Sequence, residues 1–367
     1  MPDSGLRAML KPLYCLALFA AIVLSGCAAS KYKFEYRQQA VDVVWPPEPE
    51  LPRIRYLGVI QGDGNFKKIV GSEGFGRKSI NWFGQLLFGE AEPRVLHRPQ
   101  GGAVDDENQR IFVADVGNRS VFVFDFKKNT LNIWEGVDSD TAFLTPIAVC
   151  LLSEKQIFVS DADLGYVAKF DADGKSILRL GEKRLSRPTG LACDKKHQKV
   201  YVADSQRHKI DVFSGNGEWL YEFGRRGSNK GEFNSPTHLG FSKGKLYVSD
   251  TLNARVQVFD EDGNWLESFG KRGMYVGDLP RPKGIAVDSE QHIYVIESYY
   301  DHLLLFDEAG RGLLAIGGSG EKPGQFNLPA GIWIDSNDVI YVADMFNRRI
   351  VVFQYIKQTQ TAEQIKN

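Results

Sequence analysis

The chain is poor in the residues on which most catalytic sites depend. Its 367 residues include 4 Cys, 4 Met and 6 His, and the formal net charge is −1. There is no Gly-x-Ser-x-Gly elbow, no Walker loop, no dinucleotide fingerprint after a strand and no Cys-x-x-Cys, so the familiar hydrolase, nucleotide and redox signatures are missing. Long apolar runs are equally scarce. One stretch, Leu13 to Leu24, is uncharged and follows Arg7 and Lys11, and it is too short for a stable membrane span. It reads as a secretory signal.

What the chain has in abundance is a repeated unit. In residues 236–270, short apolar runs alternate with turns rich in Gly, Asp and Asn, the pattern of a four-stranded antiparallel meander. An acidic residue closes the second run of each unit, at Asp115, Asp161, Asp204, Asp250, Glu297 and Asp344, with spacings of 46, 43, 46, 47 and 47 residues. Four strands per unit and a period in the forties indicate an all-β propeller, here with six blades. Fourth strands end in apolar-x-x-apolar-Gly, as in Leu220 to Gly224 and Leu266 to Gly270. Repeat six lacks one, whereas Ile54-Arg-Tyr-Leu-Gly58 carries the pattern ahead of repeat one. This N-terminal segment is expected to close the ring as the outer strand of blade six, and deleting it should expose a strand edge.

The repeats resemble those of the NHL propellers. The likeness rests on the Pro-x-Gly-apolar-Ala-x-Asp openings at Pro188 to Asp194 and Pro282 to Asp288, and on the Asp-x-x-Asn-Arg type segments at Asp115 to Arg119, Asp250 to Arg255 and Asp344 to Arg349. It covers roughly residues 96–355 and implies the fold more than any activity. The Asp and Asn of these segments are expected to be fold determinants, with the Arg pairing to a nearby carboxylate.

The organisation expected from this is a signal peptide over 1–26, a lipidated Cys27 with a Pro-rich spacer over 27–52, the propeller over 53–356 and a polar tail over 357–367. Within the propeller, 53–62 forms the closing strand and 63–95 an insertion. Leu24-Ser-Gly-Cys27 resembles a bacterial lipobox, which implies a lipid anchor at Cys27, and Ala28 after it suggests the outer membrane of a bacterial cell envelope. The prolines ending at Pro52 favour an extended spacer that lifts the propeller off the membrane. The insertion has helical spacing at Ile80, Phe83, Leu86 and Leu87, fitting either a short helix on the propeller or a membrane or partner contact. Cys150 and Cys193 stand one residue out of phase on their inner strands. They are expected to point to opposite faces of their blades, as buried thiols rather than a disulfide.

Antiparallel connectivity sorts the loops. The fourth-to-first and second-to-third connections share one face, where repeats two to five gather cations, among them Arg184, Arg207, Lys209, Arg225, Arg226, Lys271, Arg272, Arg281 and Lys283. Tyr275, Tyr299, Tyr300, Phe326, Met345 and Phe346 lie on the same face. Cations beside aromatics suit a protein or an anionic glycan as partner. Some NHL propellers bind RNA there, but nucleic acid is not expected for a secreted lipoprotein. The opposite face is mainly acidic.

His238 stands where repeats one, three, five and six have Gly101, Gly190, Gly284 and Gly331 and repeat two has Ala148. Related lyases hold zinc near this position, yet a zinc site needs three or four ligands and no other histidine shares the register. No metal or other cofactor is therefore expected. The expected function is a membrane-anchored, non-catalytic binding platform. The alternative is a metal-dependent lyase or hydrolase at the channel mouth near His238.

Overall fold

The computed structural model describes residues 32–37, 42–68 and 92–357. The signal peptide, Cys27, the helical stretch of the insertion and nearly all of the C-terminal tail lie outside the described residues.

Six antiparallel sheets are arranged in a ring. Blade four is representative, with strands Pro236–Ser242, Lys245–Asp250, Arg255–Asp260 and Trp265–Phe269 pairing in chain order from the axis outwards. The chain is a six-bladed β-propeller. Between their ends, its second strands are mainly apolar because each blade is covered on both sides by its neighbours. An aromatic three residues before each closing acid, namely Phe112, Phe158, Tyr201, Tyr247, Tyr294 and Tyr341, is buried in all six blades. Six apolar clusters result, one at each junction between adjacent blades. Burying each such ring contributes about 1.5–3 kcal/mol, so the junctions carry most of the stability.

The ring closes as the sequence pattern indicates. Ile54–Ile60 pairs antiparallel with Arg349–Tyr355 and supplies the outer strand of blade six. The stretch ahead of it corrects the expected free spacer. Val44–Trp45 pairs with Ile54–Ile60 as a fifth strand, Trp45 packs edge-on against Phe353, and Tyr32–Phe34 pairs with Phe66–Lys68. Trp45 and Phe34 are large and aromatic, so laying them on the ring removes apolar surface that an extended spacer would leave wet.

Each inner strand starts with Pro and then shifts register against its neighbour. There the inner strands of adjacent blades almost touch. A Cβ on Gly331 would lie 2.1 Å from the Gln100 carbonyl oxygen, and one on Gly190 would lie 2.6 Å from the His238 Cα. The repeated Pro-x-Gly is thus a requirement of closing a tight ring.

The cysteines correct a second expectation. Cys150 and Cys193 form a disulfide between the inner strands of blades two and three, with a Cα–Cα distance of 5.8 Å. The phase difference between the two strands brings the thiols together and does not keep them apart. Neighbouring blades stack face to face, so thiols on opposite faces of adjacent blades point at one another. In the chain-entropy account, closing 43 residues is worth about 4 kcal/mol.

Candidate functional site

The closing acids build the loop face. Asp115 accepts hydrogen bonds from the backbone N–H groups of His97 and Arg98 at 2.7 and 3.1 Å, and Asp161 does the same for Leu144 and Thr145. Asp344 holds Asn327 at 2.7 Å, and Glu297 takes Arg281, Tyr299 and Tyr300 in the same way. The Asn of the repeat locks the second-to-third turn to the loop before it. Asn118, Asn253 and Asn347 donate to the carbonyls of Val95, Gly227 and Gly320 at 2.8–2.9 Å. These buried, saturated acids fix where the surface side chains of each blade stand.

The cations of repeats two to five are mostly spoken for. Arg184, Arg207 and Lys209 converge on Asp211 and Glu222, with Arg184 Nε 3.0 Å from Asp211 and Arg207 Nη2 2.7 Å from Glu222. Burial alone would raise the Glu222 carboxyl, but Lys209 and Arg207 hold it down to about 2. Arg225 pairs with Glu232 at 2.9 Å, and Lys271 lies 3.9 Å from Asp278. Arg272 donates to the Leu252 carbonyl, and Arg281 sits over the Tyr299 ring. Arg226 has no carboxylate within 4 Å among the described residues. Lys283 is partly buried at the channel, where desolvation and then Arg281 lower its pKa, so it does not belong to the open face.

The aromatics divide likewise. Tyr299 and Phe346 are exposed, and Tyr299 meets Tyr300 edge-on at 4.8 Å. Phe326 and Met345 are buried instead, Phe326 in the junction between blades five and six, because the ring needs an apolar plug beneath each incoming loop. Met274, Tyr275 and Val276 stand 82, 80 and 71% exposed at the loop entering blade five.

A different sector holds an open hollow. A cavity of about 830 Å³ opens on the same face over blades six, one and two, lined by His97, Arg98, Val116, Gly117, Arg119, Leu144, Thr145, Asn327, Phe346 and Arg348. Among the described residues, no carboxylate lies within 4 Å of Arg98, Arg119 or Arg348. Arg119 and Arg348 occupy the same place in their repeats, the tip of the second-to-third turn, with φ of 51° and 56°. In blade two that left-handed position is Gly165, which takes it without the cost of about 1–2 kcal/mol that a side chain brings. The fold therefore has no need of arginine there.

Phe346 is visible in the sequence as a loop aromatic of this face, but the three arginines are not singled out there. The summed charge of repeats two to five leaves them aside, and the Arg of the repeat is expected to pair with a carboxylate. That pairing does occur one residue later, where Arg255 binds Asp250 and Arg349 binds Asp344. Aligning the turn tips alone would have exposed the difference.

His238 lines the central channel, in a cavity of about 40 Å³ with Gly101, Ala148, Gly190, Gly284 and Gly331. Its Nδ1 lies 2.9 Å from Thr237 Oγ1, and its buried Nε2 has no hydrogen-bond partner among the described residues. Desolvation, with some help from Lys283, pushes its pKa down to about 3. No group of three potential ligands surrounds it among the described residues. The one such group there is Asp194, His197 and Glu261, at the opposite face. His292 and Asp288 repeat the same His–Asp contact in blade five, which marks it as a turn device.

The family described as a 6-bladed beta-propeller matches residues 233–300 and 287–364, spanning blades four to six. No curated protein matches the sequence. Among solved structures, the chain is similar to a protein of unknown function from Bacteroides thetaiotaomicron, at 14% identity over 88% of this chain and 90% of that one, TM-score 0.54. It is also similar to a gluconolactonase from Xanthomonas campestris, at 17% identity over 71% and 87%, TM-score 0.54. Virginiamycin B lyase from Staphylococcus aureus aligns at 13% identity over 71% and 95%, TM-score 0.52. At such identities the likeness is one of fold.

Proposed function

We propose that this NHL-like propeller is a lipid-anchored, non-catalytic docking platform of the bacterial cell envelope that binds an anionic partner on its loop face. The observation that carries the proposal is the cavity over blades six, one and two. It gathers three guanidinium groups that have no carboxylate partner among the described residues, beside the exposed ring of Phe346. Arginine is suited to this because its planar fork binds carboxylates and phosphates in two-point fashion. The Cys150–Cys193 disulfide supports an oxidising compartment outside the cytoplasm, in keeping with a signal peptide and a lipidated Cys27. The anchor would hold the platform at the membrane.

The test is photo-crosslinking in intact cells from positions 98 and 346, beside the same reaction from the opposite face at position 262. Capture of one envelope component from the first two positions and not the third is expected. Equal labelling from all three would contradict the proposal.

A further inference from the structure

We infer that the cavity over blades six, one and two takes an acidic sugar, a pyranose carrying a carboxylate and presented in a polyuronate chain; this rests on the docking function proposed above and narrows its ligand. Charge selects an anion. Arg98, Arg119 and Arg348 line the hollow, while the nearest repeat acids, Asp115, Asp161 and Asp344, are buried beneath it and filled by backbone N–H groups. Those acids cannot neutralise an arginine at the rim without releasing the loops that they hold.

Two further features separate a sugar acid from a bare anion. Phe346 is 51% exposed and lines the hollow, and such a ring offers an apolar wall to the C–H face of a pyranose. Asn327 brings an amide side chain with no hydrogen bond among the described residues, and the Thr145 hydroxyl, which donates to Asp163 at 2.6 Å, keeps lone pairs for a sugar hydroxyl. An inorganic ion or a peptide carboxylate has no use for this combination. The volume of about 830 Å³ lies within the range of small-molecule sites, roughly 300–1,000 Å³, and leaves room for more than one sugar ring.

The experiment is calorimetry on the full-length protein in detergent with a short oligogalacturonate, a neutral oligogalactoside and oligoglutamate. Arg119→Ala with Arg348→Ala should weaken oligogalacturonate about tenfold or more, since each charged hydrogen bond lost is worth about a factor of ten. Neither side chain has a carboxylate partner among the described residues, so the double variant keeps the wild-type melting temperature. Phe346→Ala should weaken oligogalacturonate and leave any residual oligoglutamate binding unchanged. The neutral oligosaccharide should not bind. Equal binding of oligoglutamate and oligogalacturonate, both indifferent to Phe346, would overturn the sugar assignment while leaving an anion-docking surface intact. Absence of oligogalacturonate binding would overturn it too, and crosslinking from positions 98 and 346 then decides separately whether the platform itself survives.

Discussion

Arg348 and Arg349 are neighbours in the chain and opposites in role. Arg349 is buried, with Nε 2.7 Å from Asp344 and its other nitrogens on the carbonyls of Glu321 and Gln325. Arg348 is exposed and has no carboxylate partner among the described residues. The same contrast separates whole sectors. On blade three, Arg184, Arg207 and Lys209 are consumed by Asp211 and Glu222, whereas over blades six, one and two the arginines face an open hollow. Counting basic residues alone therefore points away from the proposed binding surface, because an ion-paired arginine belongs to the fold and an unpaired one is free to bind.

The contrast can be broken in order of expected effect. The two sectors meet at the Cys150–Cys193 bridge. Replacing both cysteines with Ser should cost about 4 kcal/mol in denaturant unfolding and leave ligand affinity unchanged. Arg349→Ala should cost about 3 kcal/mol by stranding the buried Asp344, while Arg348→Ala should change stability by less than about 0.5 kcal/mol. Similar losses from the two variants would erase the distinction.

A smaller effect separates the channel from both sectors. The folded-state pKa of His238 lies near 3, below the ordinary 6.5, so the unfolded chain takes up a proton that the folded chain refuses. Its contribution is complete above pH 6.5 and is lost as pH falls towards 3. Melting temperatures across this window should fall less steeply in His238→Gln than in the parent. Identical slopes would mean that the channel admits enough water to solvate the imidazolium. The smallest effect is expected from Arg225→Glu, Arg226→Glu, Lys271→Glu and Arg272→Glu together. Three of these four are engaged within the face, so anionic binding in the hollow should weaken only through the long-range field, by less than about threefold at physiological salt.

The ring itself was legible in the sequence, because its period, its turn residues and the stray outer strand at Ile54 to Gly58 all follow from backbone requirements. Four features were not. Arg119 and Arg348 lie far apart in sequence, and only closure of the ring makes repeats one and six adjacent, so linear charge counting divides their shared site. The disulfide was hidden by treating each blade alone, when the stacking of two blades decides which faces meet. Phe326 and Met345 appeared as surface aromatic and apolar residues because loop position does not reveal that the incoming loop folds back over the junction. Trp45 was legible as part of a proline-rich stretch but not as a ligand of the ring's outer edge.

Arginine-specific modification with phenylglyoxal, followed residue by residue by mass spectrometry, tests the central claim most directly. Arg98, Arg119 and Arg348 should react fast, Arg184, Arg207 and Arg349 slowly, and an oligogalacturonate should protect the first three alone. Slow reaction at Arg119 and Arg348, or protection spread evenly over the face, would contradict the account.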